Sequence, residues 1–232
     1  MIYVISDLHG FPHEQFLSLL NKAGFSENDF LYILGDVIDR NGDGGVKTLQ
    51  WLLYQTNVEL LLGNHEAMLL SCSFLFDEIE EGFEDKLTTK KLETFYQYMA
   101  NGGNVTLSAM KKLSRDEQQD ILEYIQDCPL YESVEIGKKK FVLVHAGLNN
   151  YSDTKSIEDY SIEELIWGRP KLSDVYSKNF LTVLGHTPTL YYGRCYEDKI
   201  IWTETWINID IGSAYGKSPV LLRLNDMAEF RL

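Results

Sequence analysis

Short apolar runs alternate with amphipathic stretches over the first sixty residues. Ile2-Tyr3-Val4-Ile5 is apolar and is stopped by Ser6-Asp7, the pattern of a buried strand. Phe16, Leu19, Leu20 and Ala23 recur at i, i+3, i+4 and i+7, which predicts one helical face, with Gly24 placed to end the helix. Leu31–Leu34 reads as a second strand stopped by Gly35. Val46, Leu49 and Leu53 mark a second helix, and Val58–Leu62 a third strand. The order βαβαβ predicts a parallel or mixed sheet covered by helices.

From 67 to 128 the strand pattern disappears. Leu92, Phe95, Tyr96 and Met99 form a helical stripe, and Ser114-Arg115-Asp116-Glu117 is a capping box opening a helix through Ile121, Leu122 and Ile125. This stretch reads as a helical cap inserted into a single domain spanning 1–232. After Pro129 the strands return. Tyr131–Ile136 and Lys140–Val144 predict a hairpin, Leu181–Leu184 another buried strand, and Ile200–Thr203, Trp206–Ile209 and Val220–Leu224 three more that close the set. One short helix is expected near Ile162–Trp167.

An apolar fraction of 44% and a charged fraction of 24% are ordinary for a globular chain and exclude wholesale disorder. The 35 acidic residues against 21 basic ones leave a net charge of −14, which argues against a nucleic-acid polymer or an anionic membrane as partner. The acidic run 77–85 reads as a solvated stretch or as a rim attracting basic partners. Cys72, Cys128 and Cys195 form no C-x-x-C pair, so a zinc ribbon or disulfide framework is not expected. The first apolar run is too short for a signal peptide or a membrane span, so a cytoplasmic protein is expected.

The candidate chemistry lies in the histidines. Of the five, His9, His65, His145 and His186 each follow an apolar run, in Asp7-Leu8-His9-Gly10, Gly63-Asn64-His65-Glu66, His145-Ala146-Gly147 and Gly185-His186-Thr187-Pro188. The second strand ends in Gly35-Asp36-Val37-Ile38-Asp39-Arg40. Ligand sites of open α/β sheets lie beyond the C-terminal strand ends, so five polar clusters are expected at one edge. Asp, Asn and His without cysteine suit divalent cations. Asp7 and His9 are two residues apart and can reach one ion, and the Asp36 carboxylate can bridge two. Two such ions ~3.5–4 Å apart can clamp the attacking and leaving oxygens of a phosphoryl group and supply hydroxide near neutral pH. His13, at the start of the first helix, reads as structural or solvated.

These five motifs occur in the order and at roughly the spacing of the calcineurin-like metallophosphoesterases, and the resemblance is closest to the phosphoprotein phosphatase branch with its bacterial and phage members. Ile207-Asn208-Ile209-Asp210-Ile211-Gly212 resembles the closing strand of that family. The resemblance implies a two-sheet α/β/β/α sandwich. It implies one metal on Asp7, His9 and Asp36, and a second on Asp36, Asn64, His145 and His186. His65 would be the general acid, oriented by Asp39, and Arg40 would grip the phosphate. Trp167-Gly168-Arg169 resembles the segment that carries a second phosphate-binding arginine, which makes Arg169 the candidate.

Two divalent ions are therefore expected, Mn²⁺ foremost, with Fe or Zn²⁺ also suited to the ligand set. The expected function is hydrolysis of phosphate monoesters by metal-bound hydroxide, with a phosphoserine or phosphothreonine protein or a small phosphate ester as substrate. The alternatives are a symmetrical bis(5'-nucleosyl)-tetraphosphatase and a non-catalytic binding scaffold. Asn101-Gly102-Gly103-Asn104-Val105-Thr106-Leu107 resembles a segment common to bacterial protein phosphatases and the tetraphosphatases and does not separate them. Asn41-Gly42-Asp43 follows Arg40 where the family commonly continues with glycine, and Gly212-Ser213-Ala214-Tyr215-Gly216 stands in place of the loop typical of the eukaryotic branch. Tyr191, Tyr192, Trp202 and Trp206 suit nucleobase stacking and strand or hairpin packing equally.

Overall fold

Alternate residues of the first strand, β1 (Ile2–Ile5), serve two different cores. Tyr3 and Ile5 pack with Phe16, Leu19 and Leu49 beneath helices, while Val4 joins Leu143, Val183, Ile207 and Leu222 in a second core. That second core draws on strands of both sheets, so the sheets stack face to face. The computed structural model describes residues 1–77 and 88–232.

The first sheet has β1 at its centre, paired in parallel with β2 (Phe30–Ile33), which pairs in parallel with β3 (Val58–Leu60). The second is built on the hairpin β4 (Tyr131–Ile136) and β5 (Lys139–Val144), followed in parallel by β6 (Leu181–Leu184). It is completed by β7 (Ile201–Trp202) and β8 (Trp206–Asn208), in the order β4-β5-β6-β8-β7. The chain then returns to the first sheet, where β9 (Leu221–Arg223) pairs antiparallel with β1 and with β10 (Ala228–Phe230). The edge strand β10 corrects the expectation that Val220–Leu224 closes the set. With Glu229 in the middle of Ala-Glu-Phe it carries almost no hydrophobic pattern.

Helices cover both outer faces, giving the α/β/β/α sandwich. On the first sheet lie α1 (His13–Lys22) and α2 (Val46–Leu52), whose buried residues include Phe16, Leu19, Leu20 and Leu49. Between β3 and β4 the regular elements among the described residues are helical: α3 (Asn64–Ser71), α4 (Thr89–Ala100), α5 (Asn104–Met110) and α6 (Arg115–Gln126), with a 3₁₀ turn at Ser73–Phe76. The box at α6 forms as expected, with Ser114 and Glu117 each accepting the other's backbone amide. In α4 the fully buried residue is Tyr98, whereas Leu92 and Tyr96 of the expected stripe are exposed. On the second sheet α7 (Ile162–Ile166) packs Leu165 and Ile166 against Val144, Leu184 and Trp206. Of the acidic run 77–85, only Asp77 is among the described residues. Among these no helix is long and apolar enough to cross a membrane.

Candidate active site

The C-terminal ends of β1, β2, β3, β5 and β6 converge, and each delivers one polar cluster. The backbone there is strained: Asp7, His9, Asp36, Asp39, Arg40 and His186 all adopt positive φ, between 45° and 74°. Each such residue costs roughly 1–3 kcal/mol and persists only where its surroundings over-determine it. The amides of Asp7, His9 and Gly10 donate to the carbonyls of Gly35, Asp36 and Val37 at 2.9–3.1 Å, lacing the first two loops together. Glu66 holds the second loop from below, because its carboxylate accepts the amides of Asp36 and Val37 at 2.8 Å and of Ile38 at 3.3 Å. Glycine is required beside these groups. A Cβ on Gly63 would run into the Asp36 carboxylate, and one on Gly185 into that of Asp7.

Asp36 lies between two sets of donor atoms. Its Oδ2 is 3.5 Å from His9 Nε2, and its Oδ1 is 3.5 Å from His145 Nε2. On the first side His9 Nε2 is also 3.8 Å from Asp7 Oδ1, and His9 Nδ1 donates to the Ile38 carbonyl at 3.1 Å. On the second side His145 Nε2 is 2.9 Å from Asn64 Oδ1 and 3.2 Å from His186 Nδ1. His145 Nδ1 donates to the Leu34 carbonyl at 2.6 Å, which fixes the tautomer and turns the Nε2 lone pair toward that group. The structure thus brings together Asp7, His9, Asp36, Asn64, His145 and His186, all of them buried.

This donor set fits divalent cations. Burial pushes the pKa of His145 down to about 3 and those of His9 and His186 well below normal, so all three imidazoles are neutral, the form that ligates metals. Burial raises Asp7 and Asp36, and neighbouring carboxylates raise them further: Asp210 for Asp7, Glu66 and Asp7 for Asp36. Buried acids pressed together in this way are stabilised as anions by cations in contact with them. His186 Nε2 is a further buried nitrogen without a partner among the described residues.

His65 makes a different set of contacts. Its Nδ1 is 2.7 Å from Asp39 Oδ2, and its Nε2 is 3.3 Å from Arg40 Nη2 and 3.9 Å from Asp36 Oδ2. His9, Asp36 and His65 also form a possible ligand cluster by distance alone. The Asp39 contact occupies Nδ1 and leaves Nε2 facing the cleft. Arg40 and Arg169 line that cleft with Trp167, Tyr191 and Tyr215, and Arg169 Nη1 donates to Thr187 Oγ1 at 3.3 Å. Asn41, the departure from glycine, donates to the carbonyls of His9 and Ser213 at 3.0 and 3.3 Å and ties the Arg40 loop to the loop before β9. His13 stands apart from the cluster, 3.2 Å from Thr48 Oγ1.

Four residues of the site were given no role from the sequence. Tyr98 and Thr106 both donate to Asp39 Oδ1, at 2.8 and 2.6 Å. Glu66 supports Asp36, as described above. Asp210 is buried, its Oδ1 accepts the Gly212 amide at 2.9 Å, and burial lifts its pKa to about 7. Glu66, Thr106 and Asp210 lie inside recognisable motifs, which was the available signal; Tyr98 has none. Of the four aromatics that suit stacking, Tyr191 is at the cleft, whereas Trp206 is core and packs its ring against Tyr192.

A family model described as calcineurin-like phosphoesterase matches residues 1–210. A symmetrical bis(5'-nucleosyl)-tetraphosphatase of Wigglesworthia glossinidia brevipalpis is 29% identical over 205 residues, which is 86% of this chain and 60% of that protein. One from Escherichia coli O17:K52:H18 (strain UMN026 / ExPEC) is 26% identical over 159 residues, 68% of this chain and 47% of its own. The chain thus spans about half the length of the curated relatives it matches. Among solved structures, a candidate diadenosine tetraphosphatase superposes with a TM-score of 0.64 at 17% identity, over 100% of this chain and 92% of that one. A Saccharomyces cerevisiae protein serine/threonine phosphatase gives 0.55 at 15% identity, over 95% and 71%. The structural likenesses show the fold. Both sequence relatives are named as symmetrical tetraphosphatases rather than protein phosphatases.

Proposed function

The chain belongs to the calcineurin-like phosphoesterase family, and on that premise we propose that it is a metal-dependent hydrolase acting on symmetrical dinucleoside tetraphosphates. The observation that carries the hydrolytic reading is the placement of Asp36, with one carboxylate oxygen toward His9 and the other toward His145. In this reading Asp7, His9 and Asp36 hold one cation, and Asp36, Asn64, His145 and His186 a second. Mn²⁺ is the first choice, although Fe or Zn²⁺ also suits nitrogen and oxygen donors. Two divalent cations there supply Lewis acidity and lower the pKa of water.

The chain's own groups then do the following. Arg40 and Arg169 bind phosphate oxygens, creating a local positive field inside a protein of net charge −14. His65 presents Nε2 to the departing oxygen and gives it a proton. Asp39, on Nδ1, orients the ring. Tyr98 and Thr106 hold Asp39. The substrate assignment rests on what the relatives' names say they act on, and on a cleft with two arginines, which suits a polyphosphate better than a single ester.

A side-by-side rate comparison in Mn²⁺ tests this, with diadenosine tetraphosphate, a phosphoserine peptide and an aryl phosphate. The dinucleotide is expected to give the highest kcat/KM and ADP as the sole nucleotide product. A preference for the peptide, or release of AMP and ATP, would overturn it.

A further inference from the structure

Exposed aromatic rings surround the mouth of the cleft. Tyr191 lies in the 3₁₀ turn Thr189–Tyr192 directly after the Gly185–Pro188 motif, and Tyr215 in the turn Ser213–Tyr215. Their hydroxyls meet at 2.5 Å and their rings stand edge to face at 79°, yet the two residues remain 62% and 54% exposed. Trp167, also exposed, stands edge-on to His186 with centroids 5.9 Å apart. Rings this exposed gain little from burial within the chain, and aromatic faces beside a phosphate site are a sequence-tolerant platform for bases.

A groove opens next to the cleft. Leu172, Tyr191 and Tyr192 give it a largely apolar lining, with Arg169 and Lys171 among its walls. Arg169 and Tyr191 line both the cleft and the groove, so the two are continuous through one cation and one ring. A ligand with one phosphate at Arg169 can therefore extend an apolar, flat group along Tyr191. A second phosphate would lie near the cations Arg169 and Lys171. A phosphopeptide carries one phosphate and needs partners for its backbone, which a groove whose exposed surface is mainly apolar, despite Ser173 and Thr187 among its lining residues, supplies poorly.

We infer that this groove is a nucleobase subsite, in which the base of one half of a nucleoside polyphosphate stacks on Tyr191 against Leu172, with its phosphates beside Arg169. The inference rests on the nucleotide reading of the same site and deepens it. Tyr191 is then a specificity-determining residue. Its ring face provides the affinity, and its hydroxyl contact with Tyr215 is not needed for it.

The test is an equilibrium titration of the metal-loaded protein with α,β-methylene-ADP and with methylenediphosphonate. The two share the metal-chelating, non-hydrolysable diphosphonate, so their difference isolates the nucleoside. The parent should bind the nucleotide about tenfold or more tightly than the bare diphosphonate, the size of one base–aromatic stack. Tyr191→Ala should erase that advantage and Tyr191→Phe should keep it. Leu172→Ala, on the other wall, should reduce it and provides a second, independent variant. Equal binding of the two ligands by the parent, or an advantage that survives Tyr191→Ala, overturns the subsite.

Steady-state hydrolysis of diadenosine tetraphosphate separates the two readings. If the parent does not cleave it while the Tyr191-dependent advantage persists, the tetraphosphatase reading fails and the subsite stands. If it is cleaved with a KM that Tyr191→Ala leaves unchanged, the subsite fails and the tetraphosphatase reading stands.

Discussion

The hydroxyl of Tyr98 donates to Oδ1 of Asp39 at 2.8 Å, on the carboxylate whose other oxygen holds His65 Nδ1 at 2.7 Å. Tyr98 comes from α4 and Thr106, the second donor to the same oxygen, from α5. Helices α4 and α5 therefore both reach the proposed acid, which sits on α3, through the Asp39 carboxylate. Burial and the neighbouring Asp39 raise the Tyr98 pKa far above normal, so its proton is permanently available for that bond.

Tyr98→Phe removes this one donor and little volume. Asp39 then keeps Thr106 but can rotate, and His65 loses a fixed orientation. We expect kcat to fall roughly tenfold, in line with the ~1.5–3 kcal/mol carried by a hydrogen bond to a charged group. KM and metal content should stay near parental values. The loss should be larger for an alkyl phosphate than for an aryl phosphate with an acidic phenol. Equal losses on both esters would show that Tyr98 serves packing alone.

His65→Asn should retain both metals and slow turnover by ~10²–10⁴, the usual contribution of a general acid. Alkyl esters should lose most, because an alkoxide needs its proton more than a phenolate does. Asp39→Asn should follow the same trend with a smaller loss. Metal analysis and a leaving-group series decide it: equal losses across the series with metals in place would remove His65 from the acid role.

Much of this site was legible because its residues sit at the ends of short apolar runs. Asp7, Asp36, Asn64, His145 and His186 each follow a strand closely, and strand ends of parallel sheets point to one edge. Glu66, Thr106 and Asp210 were visible inside motifs, but their roles depend on contacts across 28 to 67 positions of sequence or on burial, which local pattern does not encode. Tyr98 was hidden for a different reason. A polar-tipped aromatic two positions from Tyr96 and beside Met99 looks like one more amphipathic position, and α4 in fact turns Tyr98 inward while Leu92 and Tyr96 face solvent. β10 escaped because an edge strand of three residues with a central glutamate has no alternation to read.

Asp36→Asn should lose both metals together. An amide offers one weak oxygen donor in place of two anionic ones, and Asp36 is the only carboxylate of the proposed set shared by both sides. Elemental analysis of the purified variant checks this. Parental metal content would refute the bridging role even if activity were lost.

Asp210→Asn should separate electrostatic cost from metal binding through its pH dependence. Burial raises Asp210 to about 7 in the folded chain, against about 3.9 for an unperturbed aspartate. A raised folded pKa means the native state holds its proton more tightly than the unfolded one. Ionisation therefore destabilises the metal-free fold, fully above the folded pKa and not at all below the unfolded one. Asparagine cannot ionise, and its Oδ1 can still accept the Gly212 amide. In chelator-treated protein the variant should melt several degrees above the parent at pH 8. The gap should narrow steadily below pH 7 and close near pH 4. With saturating Mn²⁺ the order at pH 8 should shrink or reverse, because cations beside Asp7 favour a neighbouring anion that the variant lacks. A gap that stays constant with pH in the metal-free protein would show that Asp210 is ionised at little cost, and that the substitution acts through packing.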